Sequence, residues 1–146
     1  MNGITKSPDE KFIYCVSTGS SIVSVYKRGN GGSLRLVKQI ALGYSPDNVY
    51  VDQQTGDMFV GIHKHTWGYI LFGSNQTEFT SASALKIAVP SNYEWRNVKV
   101  TEILHDDGEA FVSVVSSAVH YNGQYLFGTV FHKLGYCVAE GKRKFP

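Results

Sequence analysis

Short runs of residues that are apolar on both faces recur along this chain, with turn signals between them. The clearest runs are residues 12–16 and 58–62, and turns are signalled at Asp9, Asp57 and Gly123. Successive side chains of a strand point to opposite faces, so an unbroken apolar run indicates a strand that is covered on both sides. The chain is therefore expected to form sheets that stack face to face.

The plan of a turn followed by an apolar strand is found three times, with about 50 residues between the first two copies. A repeat of that length, built from four short strands, is typical of a β-propeller blade. We therefore predict an all-β chain of about three blades. Propellers close with about four to eight blades, so the chain is expected to be an incomplete propeller.

The predicted strands follow from these runs and turns. They are residues 11–17, 21–27, 34–42, 49–51, 58–62, 67–72, 98–104, 110–116, 124–131 and 134–138. Residues 67–72 are predicted to pair with 58–62. A tight turn at residues 106–108 is predicted to join 98–104 to 110–116.

Composition agrees with an all-β chain and limits the partners. Of the residues, 42% are hydrophobic and 13% aromatic, and there are 15 glycines to form turns. A net charge of +2 is too small to indicate nucleic-acid binding, and the basic run at 142–144 is interpreted as a solvated tail. The chain shows neither an apolar signal segment nor a candidate transmembrane run.

A polar corner is predicted at Pro46, Asp47 and Asn48, immediately before the strand at 49–51. Adjacent carboxylate and amide oxygens are ligands that suit calcium. The alternative is an ordinary turn in which both side chains bond to local backbone. The spacing of these residues alone favours the turn.

Two cysteines and one glycosylation sequon leave the cellular compartment open. Cys15 and Cys137 both lie in strand-like runs, and either could be a plain buried thiol. The sequon Asn75-Gln76-Thr77 would be usable only in a secretory chain.

Several motifs, in order and at compatible spacing, carry a resemblance over nearly the whole chain. They are Asn2-Gly3-Ile4 with Ser7-Pro8-Asp9, Asp47-Asn48-Val49 with Val51-Asp52, Thr55-Gly56-Asp57 with Val60-Gly61 and His63, and Gly128-Thr129-Val130-Phe131-His132-Lys133 with Tyr136-Cys137. With them the chain resembles the serum paraoxonase/arylesterase family, six-bladed propellers that hydrolyse esters and lactones with calcium. The last motif is the most specific. The first two pieces also occur in gluconolactonase-like and strictosidine-synthase-like propellers.

The resemblance implies roles for individual residues. Asn2, Asp47 and Asn48 fall where the family places ligands of its catalytic calcium. The family's substrate pocket is matched at three positions, which are His63, Ser116 and Val130. For His63 the alternative is a surface histidine. Cys137 falls on a half-cystine whose partner lies near the family's amino terminus, whereas Cys15 falls on an ordinary strand position.

The matched part corresponds to the last two-fifths or so of a family member. Residues 1–140 are therefore expected to be the carboxy-terminal half of a propeller, with 141–146 as a basic tail. The missing amino-terminal blades would carry a glutamate, a further asparagine, a structural calcium site and a histidine pair. By itself the chain is expected to be inactive.

The resemblance also implies the setting of the parent protein. It would act on a small ester or lactone and be secreted or membrane-associated in the secretory pathway, with possible lipoprotein association and a glycan on Asn75. Residues 67–72 depart from the family pattern, which bears on substrate preference.

Two other functions remain open at this point. One is a paraoxonase-like membrane assembly factor that keeps the fold without catalysis, and the other is a gluconolactonase-like sugar lactonase. Among the other histidines, His105 is assigned to a polar hairpin turn, and His120 and His132 are expected to be structural or exposed.

Overall fold

A computed structural model describes residues 1–64, 81–107, 111–130 and 133–139. These residues form three antiparallel sheets and one short 3-10 turn, Asn30–Gly32. The all-β prediction is confirmed, and each sheet corresponds to one of the three predicted repeats. In the described part of the chain, no helix is long and apolar enough to cross a membrane.

The first two sheets have four strands each, paired in the order in which they occur along the chain. The strands of the first sheet are β1 Ile4–Lys6, β2 Phe12–Ser17, β3 Ile22–Arg28 and β4 Leu34–Ala41. The strands of the second are β5 Ser45–Val51, β6 Met58–His63, β7 Ala82–Ala88 and β8 Lys99–Asp106. Sequential antiparallel pairing of this kind is a meander, which is how a propeller blade is built.

The third sheet contains three described strands in the order β11-β10-β9. They are β9 Val115–Tyr121, β10 Gln124–Thr129 and β11 Gly135–Val138. The turn at Asn122 and Gly123 joins β9 to β10, and both residues have positive φ. Such a turn matches the twist of a hairpin, and Asn-Gly is the sequence that adopts it most readily.

The sheets stack through two separate apolar clusters. Side chains of β2 and β3 pack against the second sheet, with Tyr14, Val16 and Val25 fully buried. The other cluster joins the second sheet to the third around Phe59 and Phe127. The middle sheet is thus covered on both faces, as its unbroken apolar runs predicted.

Two predicted pairings are wrong. The strand that pairs with β6 on the side away from β5 is Ala82–Ala88, with Val60 opposite Leu85. Residues 67–72, predicted in that place, lie outside the described residues. Ala82–Ala88 was missed because alanine and serine are poor indicators of a strand.

The predicted hairpin around residues 106–108 is also wrong. β8 pairs with β7, whereas the next strand among the described residues begins at Val115 and pairs with β10 in another sheet. The carboxylate of Asp106 accepts hydrogen bonds from the backbone N–H groups of Phe111 (3.0 Å) and Val112 (3.1 Å). These bonds hold the start of the connection between the two sheets.

Candidate metal and substrate site

Asp47 and Asn48 lie inside β5, and the prediction of a corner before that strand is therefore wrong. Pairing with β6 shifts register between Pro46 and Val49, which is a β-bulge. β5 is an edge strand of its sheet. Proline lacks an N–H and is tolerated at such an edge, so Pro46 enters the strand instead of ending it.

The first sheet presses directly on this bulge at Gly3. The Gly3 N–H donates to the backbone oxygen of Asp47 at 3.2 Å. A Cβ placed on Gly3 would lie 2.9 Å from the Asn48 Cα and 2.9 Å from the Val49 nitrogen. Real Cβ atoms do not approach backbone that closely, so the contact requires glycine at this position.

Neighbouring hydrogen bonds fix the position of both chain segments. The Asn2 N–H donates to the oxygen of Val16 at 2.9 Å, and the Val16 N–H donates to the oxygen of Gly3 at 2.8 Å. The hydroxyl of Thr18 donates to the backbone oxygen of Pro46 at 2.7 Å. The first sheet therefore holds both the amino-terminal residues and the bulge.

The side chains of Asn2, Asp47 and His63 meet at this point. Nδ2 of Asn2 donates to Oδ1 of Asp47, and Nε2 of His63 lies 3.4 Å from Oδ2 of the same carboxylate. The side chains of His63 and Asp47 are only 7% and 12% exposed. A buried carboxylate needs compensating partners, and Asn2 and His63 provide them for Asp47.

The other predicted site residues are placed less uniformly. The Asn48 side chain belongs to an exposed residue of the bulge. Ser116 lies on β9, where its Oγ donates to the Gly128 oxygen at 3.3 Å. A Cβ on Gly61 would lie 2.3 Å from the Ser116 carbonyl carbon. Gly61 and His63 are two residues apart on β6 and therefore lie on the same face of that strand. Ser116 packs against this face.

Val130 follows β10 and is 39% exposed. Its N–H donates to the Val114 oxygen at 3.4 Å. The structure thus brings together Asn2, Asp47 and His63. Ser116 lies on β9, the strand of the third sheet that packs against β6.

The donors at this site suit a hard cation in chemical type. Asp47 supplies a buried carboxylate, and Asn2 and Asn48 carry amide oxygens on the two sides of the contact. Calcium takes six to eight oxygen ligands, and these three side chains provide at most part of such a shell. Among the described residues, no group of three or more His, Cys, Asp or Glu side chains could hold a metal ion.

A second polar pair, the buried Asp52 and the half-buried His120, was not predicted. Nδ1 of His120 lies 3.0 Å from Oδ2 of Asp52, although the residues belong to different sheets. The imidazole stacks on Phe59, with ring centroids 5.4 Å apart, and its Nε2 accepts the N–H of Gly123 at 3.3 Å. These contacts give His120 a structural role, which was one of the two roles expected for it.

The pKa of Asp52 reflects opposing effects. Burial raises it, but hydrogen bonds from His120 and from the N–H groups of Gln54 and Thr55 lower the pKa below its ordinary value. The local turn bonds could be inferred from the Asp-x-x-Thr pattern. No sequence signal pointed to the distant histidine.

His105 lies in β8, and its predicted place in a hairpin turn is wrong. Its Nε2 is 2.9 Å from Asp107 Oδ1, and its Nδ1 contacts Lys64 Nζ. Glu102 joins the group through Lys64 at 2.7 Å. Burial raises the pKa of Glu102, but hydrogen bonds from Lys64 and Ser83 bring that pKa below its usual value.

Both cysteines are free thiols on different sheets, Cys15 on β2 and Cys137 on β11. Burial raises the pKa of each thiol. The predicted glycosylation residue Asn75, the histidine His132 and the tail at 141–146 lie outside the described residues.

Comparison with known proteins gives one consistent answer. A family model described as "Arylesterase" matches residues 1–139. The human protein "Serum paraoxonase/arylesterase 1" is 32% identical over 136 residues, which cover 93% of this chain and 37% of that protein. Rat "Serum paraoxonase/lactonase 3" is 31% identical and chicken "Serum paraoxonase/arylesterase 2" is 33% identical over the same length, with the same coverage.

The chain spans about 37% of the length of these curated relatives. The family match runs from the segment that contains Asn2 to the strand that contains Cys137. It therefore includes every residue of the Asn2–Asp47–His63 group. The chain belongs to the arylesterase family, the family of the serum paraoxonases.

Proposed function

We propose that this chain is part of a calcium-dependent hydrolase of carboxylic esters and lactones. The observation that carries the proposal is the contact of Asn2 with the buried Asp47 and His63 at the β5 bulge, within a chain whose relatives are named arylesterases and lactonases. Burying a carboxylate in this way lowers the stability of the fold unless partners compensate for the lost hydration, so such a group is a candidate for a functional role.

In this proposal Asp47 supplies the negative charge that holds calcium, and Asn2 and Asn48 supply neutral oxygens. A calcium ion bound there would polarise the substrate carbonyl and stabilise the negative charge that develops when water attacks. The remaining oxygens of its shell would come from outside the 146 residues.

The protein side chains have separate tasks. Because Asn2 and Asp47 come from different sheets, the stacking of those sheets brings the two donors together. His63 contacts the second oxygen of Asp47 and limits the rotation of that carboxylate. Ser116 and Val130 are proposed to line the substrate pocket, with His63 at its rim. Such positioning lowers the entropic cost of bringing substrate and catalytic groups together.

Further properties of the parent protein belong to the same proposal. Residues 1–140 form the carboxy-terminal part of a six-bladed propeller, Cys137 forms a disulfide with a cysteine outside the chain, and Asn75 carries a glycan in a secretory product. The 146 residues alone are inactive because they provide only part of the metal shell.

The test compares Asp47→Ala with Asp57→Ala in the natural gene product that contains this chain. Each change removes one carboxylate from the same sheet. Asp57 accepts the N–H of Val89 at 3.0 Å and contacts Lys86 Nζ at 2.8 Å, so its loss should cost about 1 kcal/mol of stability and leave activity intact. Asp47→Ala should remove one bound calcium and most of the hydrolysis rate.

The measurements are calcium per protein molecule, rates with phenyl acetate and a δ-lactone, and the thermal midpoint. An Asp47→Ala protein that keeps both its calcium and its rate would overturn the metal assignment. A natural product that binds calcium but hydrolyses neither substrate would overturn the enzyme assignment. Chelator-sensitive turnover by residues 1–146 alone would contradict the expected inactivity.

A further inference from the structure

A basic cavity lies at the hairpin between β3 and β4. It has a volume of about 300 Å³ and is lined by Lys27, Arg28, Gly29, Ser33 and Arg35. Three of these five residues are cationic. All five residues are exposed, so the cavity is an open depression of the surface with room for a small anion or a head group.

Two of the cations face each other across the hairpin. Lys27 and Arg35 are directly opposite in the antiparallel register, a position in which like charges destabilise a sheet. No carboxylate pairs with either of them in the part of the chain that the structure describes. An anion placed between the two side chains would turn a repulsive pair into a binding site.

The third cation is held at the edge of the cavity. Nη1 of Arg28 donates to the backbone oxygen of Glu10 at 3.1 Å and lies 3.5 Å from Glu10 Oε2. Glu10 also contacts Lys6, so this carboxylate is shared between two cations. The guanidinium has five N–H donors, and the contacts with Glu10 orient the group without using all of them.

The loop that closes the cavity is fixed by its own hydrogen bonds. The Gly29 N–H donates to the Ser33 oxygen at 2.8 Å, and the Ser33 hydroxyl donates to the Asn30 oxygen at 3.2 Å. A Cβ on Gly29 would lie 2.6 Å from Ser33 Oγ. The Ser33 hydroxyl thus lies directly beside Gly29, between the ends of the two basic strands.

The cavity is far from the proposed metal site. In the first sheet Lys27 is paired with Phe12, at the start of β2, whereas the Asn2 N–H bonds to Val16 near the end of β2. The cavity and the Asn2–Asp47 contact thus occupy opposite ends of the strands. A ligand in the cavity would not compete with an ester at the other end.

We propose that this cavity binds a tetrahedral phosphate-type oxyanion, either free phosphate or the phosphate of a phospholipid head group. Arginine presents a planar fork of donors to such an oxygen pair, and lysine adds a compact point charge. The inference rests on the hairpin alone and is independent of the proposed hydrolase activity.

The test measures binding of two probes to the purified protein at constant ionic strength. One is inorganic phosphate, followed by calorimetry. The other is phosphatidylcholine vesicles with and without phosphatidic acid, followed by co-sedimentation. The Lys27→Gln/Arg35→Gln variant is compared with Lys38→Gln/Arg96→Gln, which removes the same net charge at residues that do not line the cavity.

The cavity variant should bind phosphate at least about tenfold more weakly, because two charge-assisted hydrogen bonds are lost. The control should bind like the wild type. A second variant, Lys27→Glu, places an opposite charge beside Arg35; it should fold at least as well as the wild type and bind no phosphate.

The two probes distinguish the sources of the phosphate group. Binding to phosphatidic acid vesicles that only the cavity variants lose assigns a lipid head group. Binding to inorganic phosphate without vesicle binding assigns the free ion. Equal losses in the cavity and control variants, or no binding of either probe by the wild type, would overturn the proposal.

Discussion

The two faces of β6 make contacts of different kinds. Met58, Val60 and Ile62 point toward the first sheet and are fully buried in a cluster of large side chains. Phe59 and Gly61 point toward the third sheet, where the backbone of Ser116 approaches Gly61 closely. One strand thus takes part in two contacts. The first is packed from large side chains, and the second combines the apolar cluster around Phe59 with a close approach of backbones at Gly61.

At Ile62 and at Gly61, stability should therefore be lost through opposite kinds of substitution. Cores packed from large side chains lose stability when volume is removed, because a cavity remains. A contact between backbones loses stability when volume is added, because nothing can move aside without shifting a strand. Three experiments test this difference, and their expected effects decrease in size.

Removing volume from the first contact should have the largest effect. Ile62→Ala should lower the free energy of unfolding by about 4 kcal/mol, within the range for buried isoleucine, and Ile62→Val by about 1 kcal/mol. Urea unfolding measures both. Losses of similar size for the two variants would show that the site does not respond to volume, contrary to the comparison.

Adding a single methyl group to the second contact should come next. The Cβ of Gly61→Ala would lie 2.3 Å from the Ser116 carbonyl carbon. We therefore expect the free energy of unfolding to fall by about 3 kcal/mol. Gly19→Ala is the control, since a Cβ there meets nothing within 4 Å. If both alanine variants unfold at the same urea concentration, the close approach of β6 and β9 does not limit stability.

Acid should affect the second contact through Asp52. Burial raises the pKa of Asp52, but hydrogen bonds from His120 and from two backbone N–H groups outweigh this effect and hold the pKa below its ordinary value. A depressed folded-state pKa stabilises the fold above about pH 4, and that stabilisation is lost as pH falls through the lower folded-state pKa. Asp52→Asn should therefore be less stable than the wild type at pH 7, by about 2 kcal/mol. This difference in the free energy of unfolding between the two proteins should disappear below pH 4.

Asp9 provides the matching acid in the first sheet. Burial raises its pKa, but hydrogen bonds from Ser7 and Lys11 lower the pKa to about 2. Thermal midpoints of the wild type, Asp52→Asn and Asp9→Asn between pH 2 and 7 separate the two contributions. Wild-type and Asp52→Asn curves that remain parallel over this range would show that Asp52 ionisation is not linked to folding.

The sequence predicted those parts of the fold that depend on local pattern. Apolar runs predicted β2 and β6 nearly to the residue, because both faces of these strands are buried, and alternating apolar and polar residues predicted β3, whose last two residues are exposed. It failed at β7, whose alanines and serine carry little strand signal although the strand is buried between its neighbours. It failed at Pro46 because edge position, which makes proline acceptable there, is a property of the whole sheet.

The site shows the same division. Asp47 and Asn48 could be singled out as oxygen donors, and the family resemblance added Asn2 and His63. That Asn2 and His63 both contact the Asp47 carboxylate depends on how two sheets stack, which local pattern does not contain. Asp52 and His120 are 68 residues apart in the sequence, and each taken alone has an ordinary local explanation.

The contact of Gly3 with the β5 bulge has a consequence for cooperativity. Asn2 and Asp47 belong to different sheets and meet only when Gly3 lies against the bulge. Any ligand that bridges the two side chains must bind the stacked form and not the separated sheets. By thermodynamic linkage it would stabilise the stacked form, by about 2.7 kcal/mol at a hundred times its Kd. Occupancy of the site would then slow amide hydrogen exchange at the Gly3 and Val16 N–H groups. These groups donate the hydrogen bonds that hold Gly3 in place, to the oxygens of Asp47 and Gly3 respectively.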